Sequence, residues 1–176
     1  ILEGKRQADA GSFSYGQTIS SAFLPNENAD YFDTDDNLMD WLRDYSPENK
    51  DEVFVRGFLG KMLFSGEEVF KSARVLSGGE KVRCMLSRMM LQQANLLFLD
   101  EPASGLNPEE TRDLAFWIDD IRKELGITVV MVEHDMSLVS AVADRVICMA
   151  QGRVLAQGSP TEVQSHPAVI AADLGA

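Results

Sequence analysis

The sequence predicts an α/β fold, a parallel sheet with a helical subdomain inserted into it. Three observations predict it. Two short apolar runs, Leu96–Leu99 and Ile127–Val132, alternate with stretches of helical period, the pattern of β–α–β units. Both runs end in acidic residues, Asp100-Glu101 and Glu133-His134-Asp135, at the strand ends where open α/β sheets bind ligands. Ahead of them, Asn37 to Gln92 carries helical periodicity.

In chain order, Gly11 to Phe23 reads as two short strands, Ser12-Phe13 and Ile19 to Leu24, around Tyr15-Gly16-Gln17. Pro25-Asn26-Glu27-Asn28 breaks that pattern, and an acidic, aromatic stretch follows from Tyr31 to Asp36. Leu38, Leu42 and Tyr45 fall on one helix face, as do Val53, Phe54, Gly57 and Phe58, with Pro47 and Gly60 as punctuation. Tyr31, Phe32 and Trp41 read as subdomain core. Ser77-Gly78-Gly79 opens a helix whose Val82, Met85, Leu86, Met89 and Met90 form a stripe.

Leu96–Leu99 is too short for a helix and suits a buried parallel strand. Pro108 fits a first helical turn, with Glu109 and Glu110 at its positive end. Leu114, Ile118, Ile121 and Leu125 make the core stripe, and Gly126 ends the helix. Ile127 to Val132 reads as a second buried strand. A short helix at Ser137 to Ala143, strands at Arg145 to Ala150 and Arg153 to Ala156, and a helix capped by Ser159 complete the chain.

The composition, 45% hydrophobic and 25% charged over 176 residues, suits one soluble domain with a real core. The net charge of −12 disfavours direct, extended nucleic-acid binding, because an acidic surface repels phosphate backbones. Lys61, Lys71, Lys81, Arg83 and Arg88 read as a solvated helix face rather than a basic patch. Cys84 and Cys148 lack the spacing of a metal or redox pair and read as two buried thiols. No apolar run is long enough to span a membrane.

Three motifs carry chemistry. Leu76-Ser77-Gly78-Gly79-Glu80 places a serine and two glycines at a helix start, where free N–H groups suit a phosphate. An ordinary capped helix reads equally well. Asp100 and Glu101, past a strand, suit Mg²⁺ held through water and a water-activating base. Solvated acids at a strand end are the plainer reading. His134 is placed to donate a hydrogen bond to a phosphate oxygen, or is an incidental polar cap. His166 has no such context.

Order and spacing together resemble the ABC ATPase family, over essentially the whole chain. The resemblance implies a truncated P-loop NTPase core of the RecA-like type with the family's inserted helical subdomain. Leu76 to Glu80 matches the signature loop, with Ser77, Gly78, Gly79 and Glu80 as nucleotide contacts. Leu96 to Asp100 matches the Walker B strand, with Asp100 toward the metal. Glu101 matches the catalytic glutamate, Ser104-Gly105-Leu106-Asn107 the D-loop and His134 the switch histidine. Asn26, after Pro25, stands where the Q-loop glutamine is expected. The implied division is 1–30 as an N-terminal β remnant with the Q-loop, 31–93 as helical subdomain and 94–176 as α/β core.

The implied activity is hydrolysis of ATP to ADP and phosphate with Mg²⁺. The implied partners are a second ABC ATPase domain, head to tail, and a transmembrane permease, with a place in the cytoplasm or on the inner membrane face. Residues 11–95, through YFDTDDNLMDWLRDYSP and VLSGGEKVRCMLSRMML, resemble the ABC-F group, soluble tandem ATPases that act on ribosomes. Residues 101–176, through DEPASGLNPEET, VVMVEHDMSLV and ADRVICMAQGRVLAQGSPTEV, are similar to ATPase subunits of branched-chain amino-acid importers. The chain reads as a hybrid of the two. The charge gives no support to ribosome contact.

No string of the form G-x-x-x-x-G-K-[ST], the family's Walker A loop, occurs in the sequence. By the family pattern Ile1 to Gly4 ends the helix after that loop. The loop supplies the phosphate cradle and its lysine, so these residues alone are expected to bind ATP weakly or not at all. A missing strand between Ile127–Val132 and Arg145–Ala150 is expected to leave unpaired edges. Three functions therefore stay open: an ATPase domain powering a partner, a donor of signature and D-loops to a partner's site, and an inactive piece of the fold.

Overall fold

A computed structural model describes residues 2, 4, 6–46 and 51–174. Ile1 and Pro47 lie outside the described residues. Three parallel strands form one sheet in the order β1 (Ser21–Leu24), β2 (Leu96–Asp100), β3 (Thr128–Val132). Ser21 pairs with Leu96, and Leu96 with Thr128, so the three strands start level. β4 (Val146–Ala150) and β5 (Arg153–Gly158) make a separate antiparallel hairpin.

Because side chains alternate across a strand, Leu24, Leu97 and Leu99 enter the core on one face, joined by Val129 and Met131. That face packs against α3 (Gly78–Leu91) and α4 (Pro108–Leu125), with α5 (Met136–Val142) against α4. The stripe Val82, Met85, Leu86, Met89 and Met90 is buried along α3 as its periodicity requires. On α4, Leu114, Ile118 and Ile121 are buried, but Leu125 is 47% exposed. The helix ends at Gly126, in the left-handed region at φ 64°. Trp117, absent from the predicted stripe, is buried and carries the Arg83 guanidinium over its ring.

The helical layer comprises α1 (Leu38–Asp44), α2 (Glu52–Lys61) and short 3-10 turns at Ala29–Phe32, Gly66–Phe70 and Ala73–Val75. Phe32 stacks on Trp41 at 4.8 Å between centroids, and the Trp41 indole N–H donates to the Tyr31 carbonyl at 2.7 Å. These aromatics are core. The α2 face departs from expectation: Val55 and Leu59 are buried, whereas Val53 is 79% exposed and Phe54 is also exposed. The buried stripe is carried by Val55 and Leu59, four residues apart on one face of a helix capped by Asp51.

The basic residues are not a freely solvated face. Arg83 lies over Phe64, Arg88 over Tyr31 and Tyr45, Lys81 over Phe32 and Lys61 over Phe58. Lys71 pairs with Glu80 at 2.7 Å. Their aliphatic stems and cationic ends cover aromatic core.

Several strand expectations fail. Ser12-Phe13 is not a strand, and β1 begins at Ser21 rather than Ile19. The β3 strand is not buried, with Val130 at 43% and Val132 at 60% exposure. Cys148 on β4 is only partly buried, while Cys84 is fully buried. Among the described residues β3 has a strand partner on one side only, and the face that carries Val130 and Val132 is open at β3, whereas at β1 and β2 Leu2, Phe13 and Tyr15 line a pocket with Phe23 and Phe98. Between β3 and the hairpin lies a groove of about 580 Å³ lined by Val130, Val132, Val146, Ile147 and Met149. Residues that a complete doubly wound sheet buries are here exposed.

Candidate functional site

Three loops meet at the carboxyl ends of the parallel strands. The segment after β1 brings Asn26, whose amide donates to a Glu101 carboxylate oxygen at 2.9 Å. The turn after β2 holds Glu101 at φ 46°, a left-handed conformation that costs a non-glycine residue about 1–2 kcal/mol. Two backbone bonds hold it there: its N–H donates to Val132 O at 2.8 Å, and Ser104 N–H donates to its carbonyl at 2.9 Å. The loop after β3 brings His134, whose Nδ1 stands 4.0 Å from the Glu101 carboxylate. That imidazole is 78% exposed and Glu101 is 36% exposed. Acceptor, amide and imidazole thus face one solvent-open point.

Asp100 ends β2 beside them, half-buried. Glu133 lies beneath. Its side chain is 1% exposed, and its oxygens accept from the backbone N–H of Ala103, His134 and Asp135 at 2.8, 2.9 and 3.0 Å. Asp135 caps α5, accepting from the N–H groups of Ser137 and Leu138. The Ser137 hydroxyl first, and then those amides, hold its carboxyl below the usual aspartate range.

A second group lies where α3 and α4 begin. Ser77 caps α3 in a reciprocal box with Glu80, and Asn107 caps α4 in the same way with Glu110. Burial raises the Glu80 carboxyl, but the Lys71 ammonium and the Ser77 N–H outweigh it and hold the group below its ordinary value. Glu80 and Asn107 both hold helix ends. The two starts touch: the Ser77 hydroxyl lies 3.4 Å from Glu110 Oε1. A Cβ on Gly78 would lie 3.3 Å from Leu106, and one on Gly79 would lie 2.8 Å from the Glu110 carboxylate. A side chain at Gly79 would have to displace that carboxylate, which closes the α4 capping box.

The predicted residues therefore fall into two groups. Asn26, Asp100, Glu101 and His134 form one. Ser77, Gly78, Gly79, Glu80 and Asn107 form the other, with Ser104 on the turn between. Sequence reasoning missed Glu133 and Glu110 as structural acids. The signals were present: Glu110 stands three residues after the cap Asn107, the box spacing, and Glu133 immediately precedes His134.

Charge decides what the first group fits. A hydrated divalent cation suits Asp100, because hard cations take carboxylate and water oxygens. No group of three or more His, Cys, Asp or Glu among the described residues would hold one unaided. Four acidic residues, Asp100, Glu101, Glu133 and Asp135, stand at this sheet end, and no described lysine or arginine is ion-paired with Glu101 or His134. No helix of the described residues is long and apolar enough to cross a membrane.

Comparison with known proteins gives concordant matches. The family model described as ABC transporter matches residues 1–104, and that described as branched-chain amino acid ATP-binding cassette transporter matches residues 153–175. The uncharacterized ABC transporter ATP-binding protein YkpA of Bacillus subtilis is 49% identical over 148 residues, 84% of this chain and 27% of that protein. The high-affinity branched-chain amino acid transport ATP-binding protein BraF of Pseudomonas aeruginosa is 43% identical over 105 residues, 60% of this chain and 41% of that protein. The chain thus spans well under half of these relatives. Among solved structures, cbiO1 from Clostridium perfringens, part of the ABC transporter complex cbiONQ, superposes with a TM-score of 0.71 at 27% identity, covering 88% of this chain and 62% of that one. The ADP conformation of MJ1267, an ATP-binding cassette of an ABC transporter, gives 0.70 at 20% identity, with 90% and 68% covered. The latter likeness bears on fold alone.

Proposed function

The chain belongs to the ABC transporter family, and we propose that it supplies the hydrolytic and signature segments of an ATP-binding domain powering a membrane-transporter partner. The observation that carries the proposal is the convergence of Asn26, Glu101 and His134 from three loops at one sheet end. Asp100 is assigned to Mg²⁺ through water, Glu101 to accepting a proton from a water, and His134 to donating to an oxyanion. Ser77, Gly78, Gly79, Ser104 and Asn107 are assigned to the nucleotide-facing surface. The family supports ATP and Mg²⁺ as ligands, a second ABC ATPase domain and a permease as partners, and the inner membrane face as location. The divisions 1–30, 31–93 and 94–176 belong to the same proposal.

These residues alone are proposed not to hold ATP. The sequence contains no glycine-rich phosphate loop, and the acids at the sheet end repel an unneutralised triphosphate. The test is titration with a fluorescent ATP analogue and Mg²⁺, beside Asp100→Ala and Glu101→Gln. No binding, with cooperative unfolding, is expected. Micromolar binding that weakens in Asp100→Ala would overturn the claim.

A second reading, donation of the signature surface to a partner's site, is favoured by the direct packing of the α3 and α4 starts. Capture by an intact ABC domain only when ATP is present distinguishes it from an inactive piece. The branched-chain match at residues 153–175 supports the importer-like side of the hybrid reading. The ABC-F-like side, residues 11–95, predicts ribosome association instead, against which the net charge of −12 argues. Co-sedimentation with membranes or with ribosomes separates the two.

A further inference from the structure

The acid before His134 takes no part in the proposed hydrolysis, yet it is the most enclosed carboxylate at the site. Its side chain is 1% exposed. One oxygen accepts from Ala103 N–H at 2.8 Å, thirty residues away on the turn that carries Glu101. The other accepts from His134 and Asp135 N–H at 2.9 and 3.0 Å. A buried carboxylate persists only when its lone pairs are satisfied, and bonds to a charged acceptor are about twice as strong as neutral ones. Here the satisfying donors come from both loops.

We infer that Glu133 is a positioning residue: its carboxylate ties the loop after β2 to the loop after β3 and so sets the separation of Glu101 from His134. The covalent path cannot do this. Glu101 and His134 are linked along the chain only through α4 and β3, and their side chains approach only to 4.0 Å. The β2–β3 ladder fixes the strands as far as Asp100 and Val132, and a Glu101 N–H bond to Val132 O extends it by one step. Beyond that point Glu133 accepts three bonds, one across the loops and two within its own. The role rests on the reading of Glu101 and His134 as the reactive pair.

The test is amide hydrogen exchange by NMR on the isotopically labelled chain, together with the nuclear Overhauser cross-peak between the His134 ring and the Glu101 side chain. It needs no nucleotide, so its outcome stands apart from the ATP titration. In Glu133→Ala, exchange at Ala103, His134 and Asp135 is expected to rise about tenfold or more. The cross-peak is expected to disappear, with exchange in α3 and α4 unchanged. In Glu133→Gln, which keeps one carbonyl oxygen, protection is expected to survive in one loop and fail in the other. Should Glu133→Ala not fold, the Gln variant decides. Unchanged exchange and an intact cross-peak in the folded variants would overturn the inference. So would a uniform rise across α3 and α4, which would mark a merely structural role.

Discussion

Glu133 and Asp135 show how far one residue's chemistry is set by its amide neighbours. Asp135 is held below the ordinary aspartate range, about 3.9, by the Ser137 hydroxyl and the α5 N–H groups. A carboxyl lowered in the folded state adds stability that is present above the unfolded value and is lost as pH falls through the folded one. Wild-type protein is therefore expected to lose more stability than Asp135→Asn on acidification from about pH 5 to about pH 2, measured by urea midpoint at each pH. Equal slopes would contradict that cause. The cysteines contrast in the same way. Burial pushes the Cys84 thiol far above the ordinary thiol range, and thiolate is the reactive form. Native protein at about pH 8 is expected to take up one alkylating label, at Cys148, with Cys84 reacting only after denaturation.

Helix ends are where sequence and structure agree most closely. α4 has Asn107 as cap, Pro108 at its first position, Glu110 closing the box and Gly126 in the left-handed region at its end. Loss of such a cap typically costs about 1 kcal/mol, so Asn107→Ala should lower Tm by roughly 2–4 °C for a chain of this size. Glu110 also contacts Ser77, so Asn107→Ala and Ser77→Ala should be non-additive when combined. A double-mutant cycle by thermal melts checks this; strict additivity would mean the α3 and α4 starts are uncoupled. Strands are less legible. The apolar runs locate Leu96–Asp100 and Thr128–Val132, but they suggest burial on both faces, and on β3 alternate residues are exposed.

The open face of the sheet governs how the protein behaves in solution. β3 presents an unpaired edge with Val130 and Val132 exposed, and across the groove stand Ile147 and Met149, also exposed. Apolar strands with unpaired edges promote association. Self-association rising with concentration is expected in sedimentation or light scattering. Val132→Lys with Ile147→Lys should reduce it, with Tm nearly unchanged because neither side chain is in the core. Undiminished association in the double variant would place the sticky surface elsewhere.

Sequence alone sets the α/β class, the starts of α3 and α4 and the stop of α4, the α3 stripe and the residue types at the strand ends. Those are encoded by interactions within about four residues, or by a period that burial must follow. Sequence also carries the family resemblance, in its motif order. Three-dimensional packing is what decides that alternate residues of β3 are exposed, which basic side chains lie over aromatics, and that the buried Glu133 carboxylate bonds the turn after β2. The strand register and the loop contacts among them join residues thirty to seventy-five positions apart. No local rule reaches that far, because the closing contacts form only once the core has fixed the strands.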